Sequence, residues 1–175
     1  MAITKIETVT VGSGGAASIG FTSIPGTYTD LLLVLSLRTS DTGATWTSGD
    51  FTINGVTTNR SQRYLYGQGA TAYSANSASQ IENWINSGNS TANTFANSSI
   101  YIPNYSGSNN KSFSGDVVTE NNSTTALQLL QAGLWASSAA ITSLSFAPAS
   151  GSLVQYSSAT LYGITKGSSG GVTVS

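Results

Sequence analysis

The sequence predicts an all-β protein: a single-domain antiparallel β-sandwich of about ten short strands. Three observations predict it. Turn signals built from Gly, Pro, Asn and Ser recur at intervals of roughly 8 to 15 residues. Between them apolar residues alternate with period two, most plainly at Leu31, Leu33, Leu35 and Leu37. No stretch sustains a helical period for long, and no fixed repeat suggests a solenoid or propeller. Among sandwiches the jelly roll fits best, because the polar stretches 39–49 and 70–79 suit crossings between two sheets.

The elements follow in order. Residues Ile3 to Val11 read as an edge strand, since Lys5 and Glu7 interrupt an otherwise apolar row. Gly12 to Gly15 form a turn, Ile19 and Phe21 mark a short strand, and Pro25-Gly26 reverse the chain into the Leu31–Leu37 ladder. These three strands are expected to form a meander. The ladder is expected to be buried on both faces at its middle, opposite the strands within 127–135 or 153–164. Residues 39–49 read as a loop containing Trp46, Asp50 to Ile53 as a strand, and Asn54-Gly55 as a hairpin turn returning through Val56 to Arg60.

After the Arg63–Tyr66 strand, 70–79 reads as an exposed loop. Ile81, Trp84 and Ile85 permit a helical turn. Phe95 to Ile102 is a strand closed by Pro103-Asn104, and Lys111 to Thr119 a strand with a possible bulge at Gly115. Residues 127–135, 141–146 and 153–164 complete the sheets. The domain spans 1–165, and 166–175 form a Gly/Ser-rich tail.

Composition narrows the chemistry. The 175 residues are 39% apolar and only 7% charged, with net charge -1, so neither a nucleic acid nor a membrane surface is an expected partner. No apolar run reaches the roughly 18 residues of a membrane span, and no Sec-type leader opens the chain, so a soluble protein is expected. Cysteine and histidine are absent, which removes disulfides, thiolate chemistry, the commonest zinc ligand and the usual nucleophilic triads. The carboxylates Asp30, Asp41, Asp50, Glu82, Asp116 and Glu120 are scattered and read as turn starters and loop ends. Gly12-Ser-Gly-Gly15 lacks the Lys and helix of a phosphate loop. The expectation is a protein without catalytic residues, bound metal or cofactor. The Asn-x-Ser/Thr sequons, as at Asn59 and Asn97, are read as unmodified.

Aromatic residues supply the remaining candidates. Tyr64, Tyr66, Trp84 and Tyr105, with Tyr73 nearby, fall in or beside polar stretches. Rings there pack the core or a subunit interface, or offer a stacking platform for sugars.

Three stretches carry a resemblance: Phe21 to Arg38 with Pro25-Gly26 and Tyr28-Thr29-Asp30, the middle Ile102-Pro103-Asn104-Tyr105, and the closing Ser157 to Ile164. Together they resemble small jelly-roll-like virion proteins of tailed bacteriophages, of the marine and cyanobacterial phage type, over about Ile3 to Ile164. The resemblance implies a non-enzymatic structural protein exposed on the particle surface, a head decoration or cement protein first. Its partners would be the major capsid protein and further copies of itself. The alternatives are a tail-fibre or knob protein binding a host glycan, and a free carbohydrate-binding module.

Overall fold

The computed structural model describes residues 1–122 and 124–166, so the expected tail beyond Lys166 lies outside the described residues. The described chain is all-β, with strands β1 (Ala2–Thr10), β2 (Ile19–Phe21), β3 (Asp30–Leu37), β4 (Trp46–Ile53), β5 (Arg60–Gln68) and β6 (Thr71–Ser77). They are followed by β7 (Glu82–Asn86), β8 (Ala96–Pro103), β9 (Lys111–Val118), β10 (Leu127–Trp135), β11 (Leu144–Pro148) and β12 (Ser158–Thr165). No described helix is long and apolar enough to cross a membrane.

Two antiparallel sheets form a sandwich. One has eight strands in the order β1-β12-β3-β8-β9-β10-β5-β6, the other four in the order β2-β11-β4-β7. The ladders β1:β12, β2:β11, β3:β8 and β4:β7 join early strands to late ones, and the chain changes sheet at every step except β5 to β6, β8 to β9 and β9 to β10. The hairpins β5–β6 and β9–β10 lie outside that pattern and extend the larger sheet.

β3 sits between β12 and β8 and turns Leu31, Leu33, Leu35 and Leu37 into the space between the sheets. There they join one core with Ile100, Ile102 and Leu161 of the large sheet and Phe51, Ile53, Leu144 and Phe146 of the small one. On the opposite face Leu32, Val34 and Ser36 are only half-buried, so the middle of the ladder is buried on one face rather than two. The strands of 127–135 and 153–164 lie in its own sheet; what faces it is the small sheet.

Several local expectations are corrected. The first three strands do not form a meander, because β1 joins β12, β2 joins β11, and β3 is flanked by β12 and β8. Asn54 and Gly55 do turn with positive φ, 53° and 72°, as a tight turn requires. The chain beyond them does not return beside β4, whose neighbours are β11 and β7. The Asn54 side chain instead fastens the turn to another loop: its amide donates to the Ala140 carbonyl at 2.7 Å and its oxygen accepts from the Thr142 N–H at 2.8 Å.

Trp46 opens β4 rather than sitting in a loop. Residues 70–79 are exposed as expected, yet they contain β6. The helical turn over Ile81 to Ile85 is strand β7. Gly115 makes no bulge, since β9 keeps regular register with both neighbours. A Cβ there would lie 2.7 Å from the Ser99 carbonyl oxygen, so close packing is what requires this glycine.

Leu33→Ala should lower stability by about 2–5 kcal/mol through the cavity it leaves. Leu65→Ala, on an exposed position of β5, should stay within about 0.5 kcal/mol. Urea denaturation of the two variants measures this, and equal losses would remove β3 from its central place.

Candidate functional site

The predicted aromatics divide between two places. Alternation along β5 turns Tyr64 and Tyr66 to the inner side of the sheet, where they meet Trp84 of β7 and Trp46 of β4. Trp46 and Trp84 stack with ring centroids 4.7 Å apart, and Tyr64 and Tyr66 meet Trp84 edge-on at 5.6 and 4.8 Å. Tyr73 of β6 stacks on Tyr66 at 4.8 Å and is the exposed end of the cluster. Val117, Leu127 and Leu129 complete a second, smaller core beneath these rings. Trp84 is 4% exposed and its indole N–H donates to Glu82 at 3.2 Å, so its ring offers no face to a surface ligand. Burial, with Glu82 and Tyr66 beside it, pushes the Tyr64 hydroxyl up from its ordinary range.

Tyr105 lies elsewhere. It belongs to the main core, fully buried, with its hydroxyl donating to the Pro25 carbonyl. Sequence spacing could not separate it from the other three, because what distinguishes them is which of two cores each ring enters.

A polar seam borders the aromatic cluster. The Arg60 guanidinium holds the Asp50 carboxylate through two bonds of 3.0 and 2.8 Å and also donates to the Ser79 carbonyl at 2.7 Å. Asp50 in turn accepts from the Ile81 N–H at 2.9 Å. The Gln62 amide pairs with the backbone of Glu82, accepting from its N–H at 2.5 Å and donating to its carbonyl at 3.2 Å, while its nitrogen also reaches Gln131 at 2.7 Å. Sequence reading missed this seam, since Arg60, Gln62 and Gln131 show no motif. Their inward positions in alternating strands become visible only once the register is known.

The remaining carboxylates also hold local structure. Asp116 accepts from Ser99 at 2.5 Å, Asp41 from the Gly43 N–H at 3.1 Å, and Glu120 from the Asn122 N–H at 2.7 Å. Asp30, 1% exposed, accepts from the Tyr101 hydroxyl at 2.6 Å and the Asn104 N–H at 2.9 Å, and pairs with Lys166 at 3.0 Å. Beside it Thr29 donates its hydroxyl to the Ile164 carbonyl at 2.6 Å, and the Tyr28 ring covers Gly163 so closely that a Cβ there would lie 2.3 Å from it. The stretches around Tyr28-Thr29-Asp30, Asn104-Tyr105 and Ile164 therefore meet at one corner of the sandwich. Among the described residues no group of three or more Asp, Glu, His or Cys is placed to hold a metal ion.

The outer face of the β9-β10-β5-β6 extension is open. Leu65 and Leu130, directly opposite in register, are 60% and 56% exposed. With Arg63, Ser74, Asn76 and Ala132 they line a shallow depression of about 460 Å³.

The architecture defines an all-β sandwich whose aromatic and amide-rich joint fastens an extra four strands to the core. No protein-family model matches the chain, and no curated protein is significantly similar to it.

Two outcomes test this description. Trp84→Ala should cost about 3–5 kcal/mol, and Tyr73→Ala, at the exposed end, under about 1 kcal/mol, in unfolding followed by tryptophan fluorescence. The second concerns acid. Burial pushes the Asp30 carboxyl up, but bonds from Tyr101, Asn104 and Lys166 outweigh it and hold the group below its ordinary value of 3.8. A carboxyl depressed on folding gives stability that is full above its unfolded pKa and lost as pH falls through the lower folded value. Stability should therefore decline below about pH 4. Asp30→Asn should be weaker by about 1–3 kcal/mol at neutral pH yet lose less over that acid window, as pH-dependent urea midpoints will show.

Proposed function

We propose that this chain is a non-enzymatic structural protein of a bacteriophage virion, docking on the assembled head as a decoration or cement protein beside the major capsid protein. The observation that carries the reading is the packed corner where Tyr28-Thr29-Asp30, Pro103-Asn104-Tyr105 and Ile164 come together. The stretches that resemble phage virion proteins form one joint, as a shared architectural signature would, and this supports the reading.

The winding supports the same reading. Setting the two hairpin insertions aside, the pairs β1:β12, β2:β11, β3:β8 and β4:β7 are those of a two-stranded ribbon rolled into two facing sheets, so we read the core as a jelly roll, a fold common in viral capsid proteins. That step is an analogy of fold, since lectin domains use jelly rolls too. The non-enzymatic reading rests on the carboxylates, which are occupied in Arg60, Tyr101, Ser99 and backbone contacts. A protein whose surface is hydroxyl and amide rather than charge suits docking through uncharged contacts.

A tail-knob reading has one observation in its favour, the exposed Tyr73 ring stacked on Tyr66. Copy number separates the two. Hundreds of copies per particle are expected for a decoration protein and a handful for a tail. Particles lacking the chain should release DNA at a lower temperature than complete ones. An unchanged release temperature, with glycan binding abolished by Tyr73→Ala, would replace the head reading with the tail one.

A further inference from the structure

Among the described residues four strands end a sheet: β1 and β6 in the large one, β2 and β7 in the small one. Three of these edges are blunted. β1 carries Lys5 and Glu7, with a register shift between them that bends the strand away from a flat edge. β2 is three residues long. β7 has the Gln62 amide bonded to the Glu82 backbone near one end, and at the other its Asn86 carbonyl accepts from the Thr39 N–H at 2.9 Å.

β6 has no such device. Its sequence, Thr71-Ala-Tyr-Ser-Ala-Asn-Ser77, contains no charge and no proline, it keeps regular register with β5, and six of its seven residues are exposed. We infer that β6 is a dimerisation strand, pairing antiparallel with β6 of a second copy about a twofold axis through Ser74.

The register follows from the turn. Gly69, at φ 56°, and Ala70 form a two-residue connection, so the flanking pair Gln68–Thr71 is hydrogen-bonded and the bonded pairs recur at alternate positions, Tyr66–Tyr73 and Tyr64–Ala75. The N–H and C=O groups of Ala72, Ser74 and Asn76 therefore point away from β5, to the open edge. A partner strand must present its own outward groups to these. Two antiparallel copies of β6 do so best with Ser74 opposite Ser74 and Ala72 opposite Asn76, which pairs all the outward groups of both strands.

The side chains agree with that register. Tyr73 falls opposite Ala75, leaving room for the ring, and Thr71 opposite Ser77. No like charges meet, and Arg63, one strand further in, lies in the row of Asn76 and so faces Ala72 of the second copy rather than another Arg63. With net charge -1 the chain repels its own copy little. Pairing joins two eight-stranded sheets into one continuous sheet, the two-sided arrangement that an isologous interface requires. The inference is independent of the virion reading.

Sedimentation equilibrium of the full chain tests it. The wild type should behave as a dimer of the 17.9 kDa chain, insensitive to salt. Ser74→Lys and Ser74→Glu, which set like charges opposite each other across the axis, should each raise the dissociation constant about tenfold or more. An equimolar mixture of the two should restore a dimer that weakens as salt is added. Thr4→Lys, on the exposed edge strand β1, should leave association unchanged. Circular dichroism of each variant confirms that the fold persists. A wild type that stays monomeric at its highest soluble concentration overturns the inference. So does a dimer that Ser74→Lys leaves intact, or one that Thr4→Lys disrupts as strongly.

Discussion

Backbone groups removed from water must find partners, and in a chain with 7% charged residues this requirement shapes nearly everything else. Most of it is met by ladders between distant strands. Where the chain leaves the sheets, its few cations take over. The Arg38 guanidinium donates to the carbonyls of Gly88, Ser90, Thr91 and Thr94 at 2.8 to 3.1 Å, gathering the loop between β7 and β8. Lys111, buried at 1% exposure, donates to the carbonyls of Gly107 and Asn109 at 2.5 and 2.7 Å, and burial pushes its pKa down. These cations organise backbone, and their contribution depends on satisfying carbonyls that would otherwise be stranded.

The same rule explains how the extension is attached. The small sheet is only four strands wide and cannot cover an eight-stranded partner. The uncovered inner face of β5 and β10 is closed by the rings of Trp46, Trp84, Tyr64 and Tyr66 instead of by a further strand. Next to the rings, Gln62 treats the backbone of β7 as a neighbouring strand would, with a donor and an acceptor at peptide spacing. An apolar contact and a polar one thus share a single joint, which fixes both the distance and the register of the two layers.

Legibility in the sequence followed burial. The β3 ladder was readable because its one buried face carries four leucines in strict alternation. β7 read as a helical turn because its two faces enter two different cores: Ile81 and Ile85 face the main core and Trp84 the aromatic one, which yields spacings of three and four. β6 was invisible for the opposite reason, since a strand exposed on both faces has no apolar period. The Asn54-Gly55 turn showed its local geometry but not its destination, because turn chemistry fixes φ while pairing is decided by residues far along the chain. Of the candidate site, the ring identities were legible and their grouping was not. The Arg60, Gln62 and Gln131 seam left no trace at all, as its members share only a register.

The pairing of β1 with β12 sets the order in which this molecule can be made. As the chain leaves the ribosome, the hairpin β5–β6 closes across a two-residue turn and β9–β10 across a short loop, so each can form locally. β3 meets β8 well before it meets β12, so one hydrogen-bonding edge of the Leu31–Leu37 strand stays unpaired until about residue 165 has emerged. A nascent chain therefore carries its most apolar strand incompletely paired through most of its synthesis. Long-range pairing of this kind forms late and leaves apolar surface exposed until the last strand closes the sheet.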